Sequence, residues 1–419
     1  MYSQFKYYKY KDKYLFSLFD YEELEKANLE EIKNERGIIY YLNRLSPLNS
    51  RRYFTISHPS MLFIKEESLD LLRLDESDYT KIVDKWILDK IEKREVACIN
   101  TYYPTWEDIL TMKPKDKWNV NLVALGDVGS TLAIGLRLLG GECINQIGIY
   151  DRDINRLKRW EHELNQIIDP AGKMEFPKVV PLEKEKLFDC NMFIFCASKG
   201  VPSVDSKIED VRMAQFKSNS EIISEYAHLA RKNKFRGVFA VVSDPVDLLC
   251  KVAFLESNKD ENENLDFQGL SSDQIIGYGL GVMYGRATFY AEKLKEAAHF
   301  FKEGRLFGPH GDGLIVADSI ANYNEEISNY LTKKTVNANK VVRSFGYKPY
   351  IAPSLSSGAL SIIATIKGDW FYGSTYIKEV YMGARCRLIS TGIELEQLKL
   401  PEKLFDKIKK TYDRLAGII

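Results

Sequence analysis

The chain has 419 residues, a length typical of two or three domains that each bury a sizeable core. Its 59 Lys and Arg residues balance 59 Asp and Glu residues, and this neutrality argues against a general binder of nucleic acid or anionic membranes, which needs a cationic surface. An apolar share of 45% and a charged share of 28% exclude a disordered or fibrous protein.

Neither secretion nor membrane insertion is indicated. No apolar run reaches the roughly 18–20 residues that a membrane helix needs, and the first residues lack the apolar core of a secretion signal. The six cysteines include no Cys-x-x-Cys pair and lie mostly in apolar stretches, which predicts buried free thiols and a cytoplasmic protein. We expect no metal, no nucleic-acid partner and no membrane partner. The 25 Tyr and 21 Phe residues fit packed cores and subunit interfaces, and we expect a homo-oligomer, a dimer or a tetramer.

Residues 1–117 are predicted to form an N-terminal α/β extension that ends in a linker. Apolar runs predict strands at Tyr14–Tyr21 and Gly37–Leu42. Charged, amphipathic stretches predict helices around Tyr21–Asn34 and at Asp78–Lys93.

The opening stretch alternates Tyr and Lys (MYSQFKYYKYKDKY). This pattern occurs where aromatic rings stack on nucleic-acid bases. It also occurs in half-buried strands whose lysines keep their ammonium groups in water. In a neutral chain we favour the strands.

The character of the sequence changes at Trp118. The preceding stretch Tyr102–Lys117, with two prolines and three lysines, is interpreted as the linker. From Trp118 short apolar strands alternate with longer helices, a pattern typical of βαβ units and a parallel sheet.

A glycine turn follows the first of these strands. The apolar strand Asn119–Leu125 leads directly into Gly126-Asp127-Val128-Gly129-Ser130 and an apolar helix. Such a turn points backbone N–H groups and the helix dipole at one spot, which is a binding geometry for a pyrophosphate. Gly126 lets the backbone approach the phosphates and Gly129 lets the helix pack on the strand. The first glycine of the G-x-G-x-x-G pattern is replaced by Ala124.

An acidic residue ends the next strand, Asn145–Tyr150, at the position expected for a ribose ligand. Asp151 lies 22 residues after Gly129. A carboxylate there accepts hydrogen bonds from the ribose hydroxyls and repels a 2′-phosphate, which favours NAD over NADP. The adjacent Arg152 leaves NADP open, and a nucleotide-free doubly wound fold with an incidental glycine turn is the structural alternative.

Downstream motifs add a family resemblance. They are FIFCASKGVP (Phe193–Pro202), VVSDPVDLL (Val241–Leu249), IIGYGLG (Ile275–Gly281) and GPHGD (Gly308–Asp312). Their order and spacing resemble the lactate/malate dehydrogenase family, the NAD-dependent 2-hydroxy acid dehydrogenases, from about Trp118 to the end of the chain. The resemblance implies an α/β fold: a Rossmann doubly wound parallel sheet at 118–262, followed by an α+β substrate domain at 263–419.

The resemblance also implies roles for individual residues. His310 corresponds to the family's catalytic histidine, Arg286 to the arginine that binds the substrate carboxylate, and Arg212 to the loop arginine that polarises the substrate carbonyl. The residues that would bind NAD are Gly126, Asp127, Val128, Gly129, Asp151 and Ser243. A turn role for His310, and surface ion pairs for the two arginines, are the structural alternatives.

Besides Ala124, four positions depart from the family pattern. The aspartate that orients the catalytic histidine is replaced by Met283, whose thioether cannot stabilise an imidazolium. Asp244, which stands where the family has a substrate-contacting asparagine, is the candidate substitute. Lys348 stands where relatives carry a small pocket residue, and Ser203 replaces the arginine of malate enzymes. Asp244 and Lys348 together indicate a substrate with additional polar groups, or alternatively a mutual salt bridge without a ligand role.

These features favour an NAD-dependent oxidoreductase that acts on the hydroxyl or keto group of a small carboxylic acid other than plain lactate or malate. The rival hypothesis is a catalytically weakened NAD(H)-binding sensor or scaffold, which Met283 supports. An enzyme of nucleotide sugars or glycosides on a related fold is a third hypothesis, but the Cys/His metal-ligand arrangement expected for it is missing.

Overall fold

The computed structural model describes residues 4–199 and 211–418, with the side chains of 211–214 left out. The strands are β1 (Lys6–Tyr10), β2 (Lys13–Ser17), β3 (Glu25–Lys26), β4 (Ile39–Asn43), β5 (Tyr53–Thr55), β6 (Val96–Asn100), β7 (Trp118–Val123), β8 (Ile144–Tyr150), β9 (Lys178–Pro181), β10 (Met192–Phe195), β11 (Val238–Val241), β12 (Ile275–Gly277), β13 (Arg305–Phe307), β14 (Ile315–Ala317), β15 (Phe371–Ile377), β16 (Val380–Ile389) and β17 (Gly392–Leu395).

The α-helices are α1 (Leu29–Asn34), α2 (Lys85–Glu92), α3 (Asp108–Thr111), α4 (Asp127–Leu139), α5 (Ile154–Asn165), α6 (Val211–Lys232), α7 (Val246–Ser257), α8 (Leu280–Ala291), α9 (Phe300–Glu303), α10 (Glu325–Ser344), α11 (Ser361–Lys367) and α12 (Glu402–Ala416). A π-helical segment at Pro353–Leu360 precedes α11. Among the described residues, no helix is long and apolar enough to cross a membrane.

The predicted Rossmann sheet is confirmed. Its strands lie side by side in the order β9-β8-β7-β10-β11-β12 and pair in parallel. Strands β10 and β11 are buried along their whole length, as expected where helices cover both faces of a parallel sheet. The sixth strand, β12, extends the parallel sheet beyond the predicted boundary at residue 262.

The sheet continues past β12 without interruption. Strand β15 pairs antiparallel with β12, and β16 and β17 follow as an antiparallel meander. Strand β17 then pairs in parallel with β5 of the extension through Ile393 and Phe54. Among the described residues, one sheet of fifteen strands therefore joins the extension, the meander and the Rossmann strands.

Buried polar contacts hold the extension to this core. The Tyr103 hydroxyl lies 2.9 Å from the Pro47 carbonyl, 2.8 Å from the Ser50 carbonyl and 3.1 Å from the Ser272 hydroxyl. The Thr55 and Thr391 hydroxyls, both buried, lie 3.0 Å apart. The extension therefore packs on the core, with contacts to the meander at Thr391 and to the turn before β12 at Ser272.

Several local predictions in the extension need correction. The helix predicted at Tyr21–Asn34 is wrong in its first half, because Asn28 caps α1: its side chain accepts from the Glu30 N–H and its own N–H donates to Glu31. The helix predicted at Asp78–Lys93 begins only at Lys85. Before it, Asp78 accepts hydrogen bonds from the backbone and hydroxyl of Thr80, a local turn that competes with a helix.

Two further expectations concern the edges of the extension. The opening Tyr/Lys stretch forms β1 and β2, with Tyr8 buried, which confirms the strand interpretation. The predicted linker contains α3, and its Ile109 and Leu110 are buried in the extension.

The six cysteines are free thiols and are buried or half-buried, as predicted.

We predict that Tyr103→Phe lowers the free energy of unfolding by about 1–2 kcal/mol, since the hydroxyl contacts the buried Ser50 carbonyl, the Pro47 carbonyl and the Ser272 hydroxyl. Urea denaturation provides the measurement. The neighbouring Tyr102→Phe is the matched control and should change stability by less than about 0.5 kcal/mol, because Tyr102 is 58% exposed. Equal stabilities of the two variants would show that the Tyr103 contacts do not support the junction.

Candidate active site

The glycine turn lies where strand β7 passes into helix α4. A Cβ atom at Gly129 would lie 2.0 Å from the Ala124 carbonyl oxygen, so only glycine permits this approach of helix to strand. A Cβ atom at Gly126 would meet nothing within 4 Å, and the space above the turn is open. These residues fit a pyrophosphate, because the N-terminus of α4 faces open space and Gly126 has no side chain to fill it.

Ala124 adopts a backbone conformation that suits glycine better. Its φ angle is +71°, in the left-handed region where a Cβ atom is crowded. The family has glycine at this position, so the chain retains the turn's shape at a steric cost.

Asp151 follows β8 and is engaged by its own chain. One carboxylate oxygen accepts the Leu125 N–H at 2.8 Å, the other accepts the Asp153 N–H at 2.9 Å, and Arg156 Nη1 lies 3.4 Å from both. Its side chain is only 7% exposed. Asp151 therefore holds the glycine turn to the end of β8, and Arg156 compensates its charge, a contact that the sequence reading missed.

Lys348 does not lie beside Asp244 as the proposed mutual salt bridge required. Its ammonium group lies 3.0 Å from a carboxylate oxygen of Asp127, the first residue of α4. The structure therefore places Lys348 at the glycine turn, and its role as a substrate ligand stays a prediction. Both side chains are largely exposed, at 77% and 51%.

His310 and Asp244 are brought together. His310 lies in the turn after β13, and its Nδ1 atom lies 2.8 Å from Asp244 Oδ1, at the end of the segment that follows β11. The His310 backbone N–H donates to Asp247 at 3.4 Å, and the Ser374 hydroxyl donates to the same carboxylate at 2.6 Å. Asp247 and Ser374 thus position the histidine turn; Asp247 falls within the quoted VVSDPVDLL motif, but its contacts could not be read from spacing.

Charge around the imidazole favours its protonated form. Burial by itself lowers the pKa of His310, but the negative charge of Asp244 and its hydrogen bond outweigh burial, so the pKa of His310 is raised above its ordinary value. The positive charge of Arg286 opposes this rise and Asp247 adds to it. Asp244 thus acts on His310 as the family's missing aspartate would.

Arg286 lies on α8, one turn after the position that lacks the family's aspartate. Its Nη1 atom lies 3.4 Å from the Met283 sulfur, and burial lowers the pKa of the guanidinium. Met283 itself is buried among apolar side chains. The backbone of Arg212 lies in α6, but its side chain is outside the described residues.

Two further polar residues organise the carboxyl edge of the sheet. The Ser243 hydroxyl donates to the Ala197 carbonyl at 2.8 Å. The fully buried Asn219 donates to the Asp244 carbonyl at 2.7 Å and accepts the Lys199 N–H at 3.1 Å. Asn219, which the sequence analysis did not identify, thus supports the strand end that carries Asp244. In the described part of the chain, no three His, Cys, Asp or Glu residues are grouped as metal ligands.

The chain matches no protein-family model. It is 23% identical over 328 residues to an L-lactate dehydrogenase of Borrelia hermsii (strain HS1 / DAH), covering 72% of this chain and 96% of that protein. It is also 23% identical over 337 residues to L-lactate dehydrogenase 1 of Peribacillus psychrosaccharolyticus, covering 74% of this chain and 98% of that protein.

Solved structures with this fold include two lactate dehydrogenases. One is MGS-M5 from a Medee basin deep-sea metagenome library, with a TM-score of 0.58 and 20% identity over 72% of this chain and 98% of its own. The other is the minor L-lactate dehydrogenase of Enterococcus mundtii in a ligand-bound form, with a TM-score of 0.58 and 19% identity over the same shares. Both relatives and structures leave about a quarter of this chain unmatched.

We predict that Ala124→Gly raises the free energy of unfolding by about 1 kcal/mol, because glycine adopts a positive φ without the steric cost that alanine meets. The control Ala338→Gly, inside α10, should lose about 1 kcal/mol, since glycine is the poorer helix former. Urea denaturation compares the two variants, and a loss of stability at both positions would argue against strain at the turn.

Proposed function

We propose that the chain is a divergent member of the lactate/malate dehydrogenase family and acts as an NAD-dependent oxidoreductase of a small 2-hydroxy or 2-keto carboxylic acid other than plain lactate or malate. The observation that carries the proposal is the contact between His310 Nδ1 and Asp244. It supplies the carboxylate that the family mechanism needs and that Met283 removes.

His310 is the proposed proton-transfer group. Because Asp244 engages Nδ1, exchange of the proton with the substrate falls to Nε2. The protonated imidazole donates to the carbonyl oxygen during reduction, and the neutral imidazole accepts the hydroxyl proton during oxidation. NAD(H), when bound at the glycine turn, supplies or accepts the hydride.

Arg286 is the proposed ligand of the substrate carboxylate. Its guanidinium is half-buried and close enough to His310 that its charge lowers the pKa of the imidazole. A planar guanidinium in a half-buried site binds a carboxylate through two parallel hydrogen bonds, which fixes the acid's orientation. Arg212 is proposed to polarise the carbonyl from the start of α6.

Asp244 also bears on the choice of substrate. It replaces an amide that contacts the substrate in the family with a carboxylate that is 47% exposed. An acid in the pocket disfavours simple acids and suits a substrate with further polar groups. The retained His310, Arg286 and Arg212 favour an enzyme over the sensor or scaffold that Met283 alone would suggest.

The proposal extends to organisation and setting. We place the cofactor domain at 118–262 together with β12, the substrate domain in the remainder of 263–419, and the extension and its linker at 1–117. The protein is proposed to act as a cytoplasmic homo-oligomer without nucleic-acid or membrane partners.

A turnover screen tests the proposal: 2-keto acids are assayed with NADH and NADPH, and 2-hydroxy acids with NAD⁺ and NADP⁺, including amino- and dicarboxylate-substituted acids of both kinds. We expect NADH-dependent reduction of a substituted keto acid, slow turnover of simple ones, and a loss of roughly 10²-fold or more in His310→Ala. NADH binding without turnover of any acid would favour the sensor. Equal or tighter binding of NADPH would overturn the NAD preference and point to Arg152, which is 72% exposed.

The Asp244–His310 contact also predicts a pH dependence. Reduction needs the protonated imidazole, so its rate falls as pH rises through the raised pKa of His310. Asp244→Asn removes the charge that raises this pKa, so the fall should move to lower pH and turnover should drop roughly 10²-fold. Initial rates across pH provide the measurement.

Two variants sharpen this experiment. Asp312→Asn is the matched control, since Asp312 lies two residues from His310 but pairs with Arg414 and is 79% exposed; its pH profile should match the wild type. Adding Met283→Asp to Asp244→Asn restores the family's arrangement and should recover part of the lost rate. An Asp244→Asn enzyme with an unshifted profile would disprove the role of Asp244.

A further inference from the structure

The glycine turn carries a negative charge at the place proposed for the pyrophosphate. Asp127 is the first residue of α4, and its carboxylate uses the positive end of the helix dipole. A pyrophosphate would compete for that same dipole and would be repelled by the carboxylate. Dinucleotide binding at this turn therefore requires a compensating cation.

Lys348 provides a cation at this point. It lies 221 positions away in the sequence, in the segment between α10 and the π-helical segment Pro353–Leu360, and its ammonium group lies 3.0 Å from Asp127. A lysine ammonium carries three donors on a flexible stem, so it can serve a carboxylate and a phosphate together.

The position of Lys348 relative to the turn is set by close helix packing. The π-helical segment that follows it packs directly against α4: a Cβ atom at Gly135 would lie 2.6 Å from the Ala359 Cβ, and one at Gly358 would lie 2.6 Å from the Leu132 Cδ1. The same helix therefore carries Asp127 at its start and anchors the segment of Lys348 along its length. The ion pair follows from this packing.

The pair is weak enough to rearrange. Both side chains are largely exposed, and ion pairs in such surroundings contribute little to stability. A phosphate oxygen offers the ammonium group a charge-assisted hydrogen bond of comparable or greater strength.

We propose that Lys348 is a pyrophosphate ligand, which pairs with Asp127 in the free protein and bridges Asp127 to the pyrophosphate when the dinucleotide binds. This inference rests on the proposed function, because it concerns the same cofactor. In this role Lys348 determines the affinity for the cofactor and not the choice of acid substrate. Asp127 competes with the pyrophosphate for the Lys348 ammonium group.

The test is direct binding of NADH and of ADP-ribose to the full chain, followed by fluorescence or calorimetry without any acid substrate. Lys348→Gln should weaken both ligands about tenfold, since both carry the pyrophosphate. It should also flatten the dependence of Kd on salt concentration. Asp127→Asn should tighten both ligands about threefold by removing the like charge. Lys409→Gln, at an exposed position of α12, makes the same change of net charge and should leave both Kd values unchanged.

The double variant separates direct contact from simple neutralisation. If Lys348 touches the pyrophosphate, Lys348→Gln still weakens binding in the Asp127→Asn background; if it only neutralises Asp127, the loss disappears there, which would overturn the inference. A change in thermal stability with unchanged Kd would also overturn it, by assigning the pair a structural role. A wild-type protein that binds neither ligand would count against the proposed function itself, whereas equal Kd values for wild type and Lys348→Gln would count against this inference alone.

Discussion

The hairpin β15–β16 is the element on which both the histidine turn and the extension depend. On one side, the Gly383 carbonyl accepts the Gly308 N–H at 2.9 Å at the start of the histidine turn, and Ser374 donates to Asp247. A Cβ atom at Gly383 would lie 2.5 Å from the Gly308 oxygen, so only glycine allows this approach. On the other side, β17 joins the hairpin to β5. The hairpin therefore connects the extension to the histidine turn through continuous strand pairing and hydrogen bonds.

The carboxylate beside the histidine lies on a different element in this chain than in the family that the chain resembles. The family takes it from the helix that corresponds to α8, where this chain has Met283; here it comes from Asp244, before α7. Both positions can place a negative charge beside Nδ1. An imidazolium is stabilised by that charge and its hydrogen bond, whichever element of the fold carries the carboxylate. Loss of the acid on α8 leaves a buried apolar position there, which avoids an unpaired buried charge.

Local patterns in the sequence were sufficient to predict the glycine turn and the parallel sheet. The turn at Gly126 and Gly129 depends on neighbours within a few residues, and βαβ alternation constrains strand order. The partner of Lys348 could not be predicted, because that contact spans 221 residues and depends on helix packing. The role of Asp151 as a ribose ligand stays a prediction, and its engagement by Leu125 and Arg156 could not be predicted because it depends on side-chain geometry that spacing does not encode.

The extension also changes how the sheet ends. Without it, β17 would present an unpaired backbone edge next to the buried Thr391, and exposed sheet edges favour association with other chains. With it, the edge moves to β3, which is two residues long and carries the exposed charges of Glu25 and Lys26. The opposite edge, β9, bears an exposed Lys178 and ends at Pro181, which has no N–H to donate. Both edge strands of the sheet are thus short: β3 is charged, and β9 ends at a proline. The extension therefore completes the sheet and also supports the hairpin.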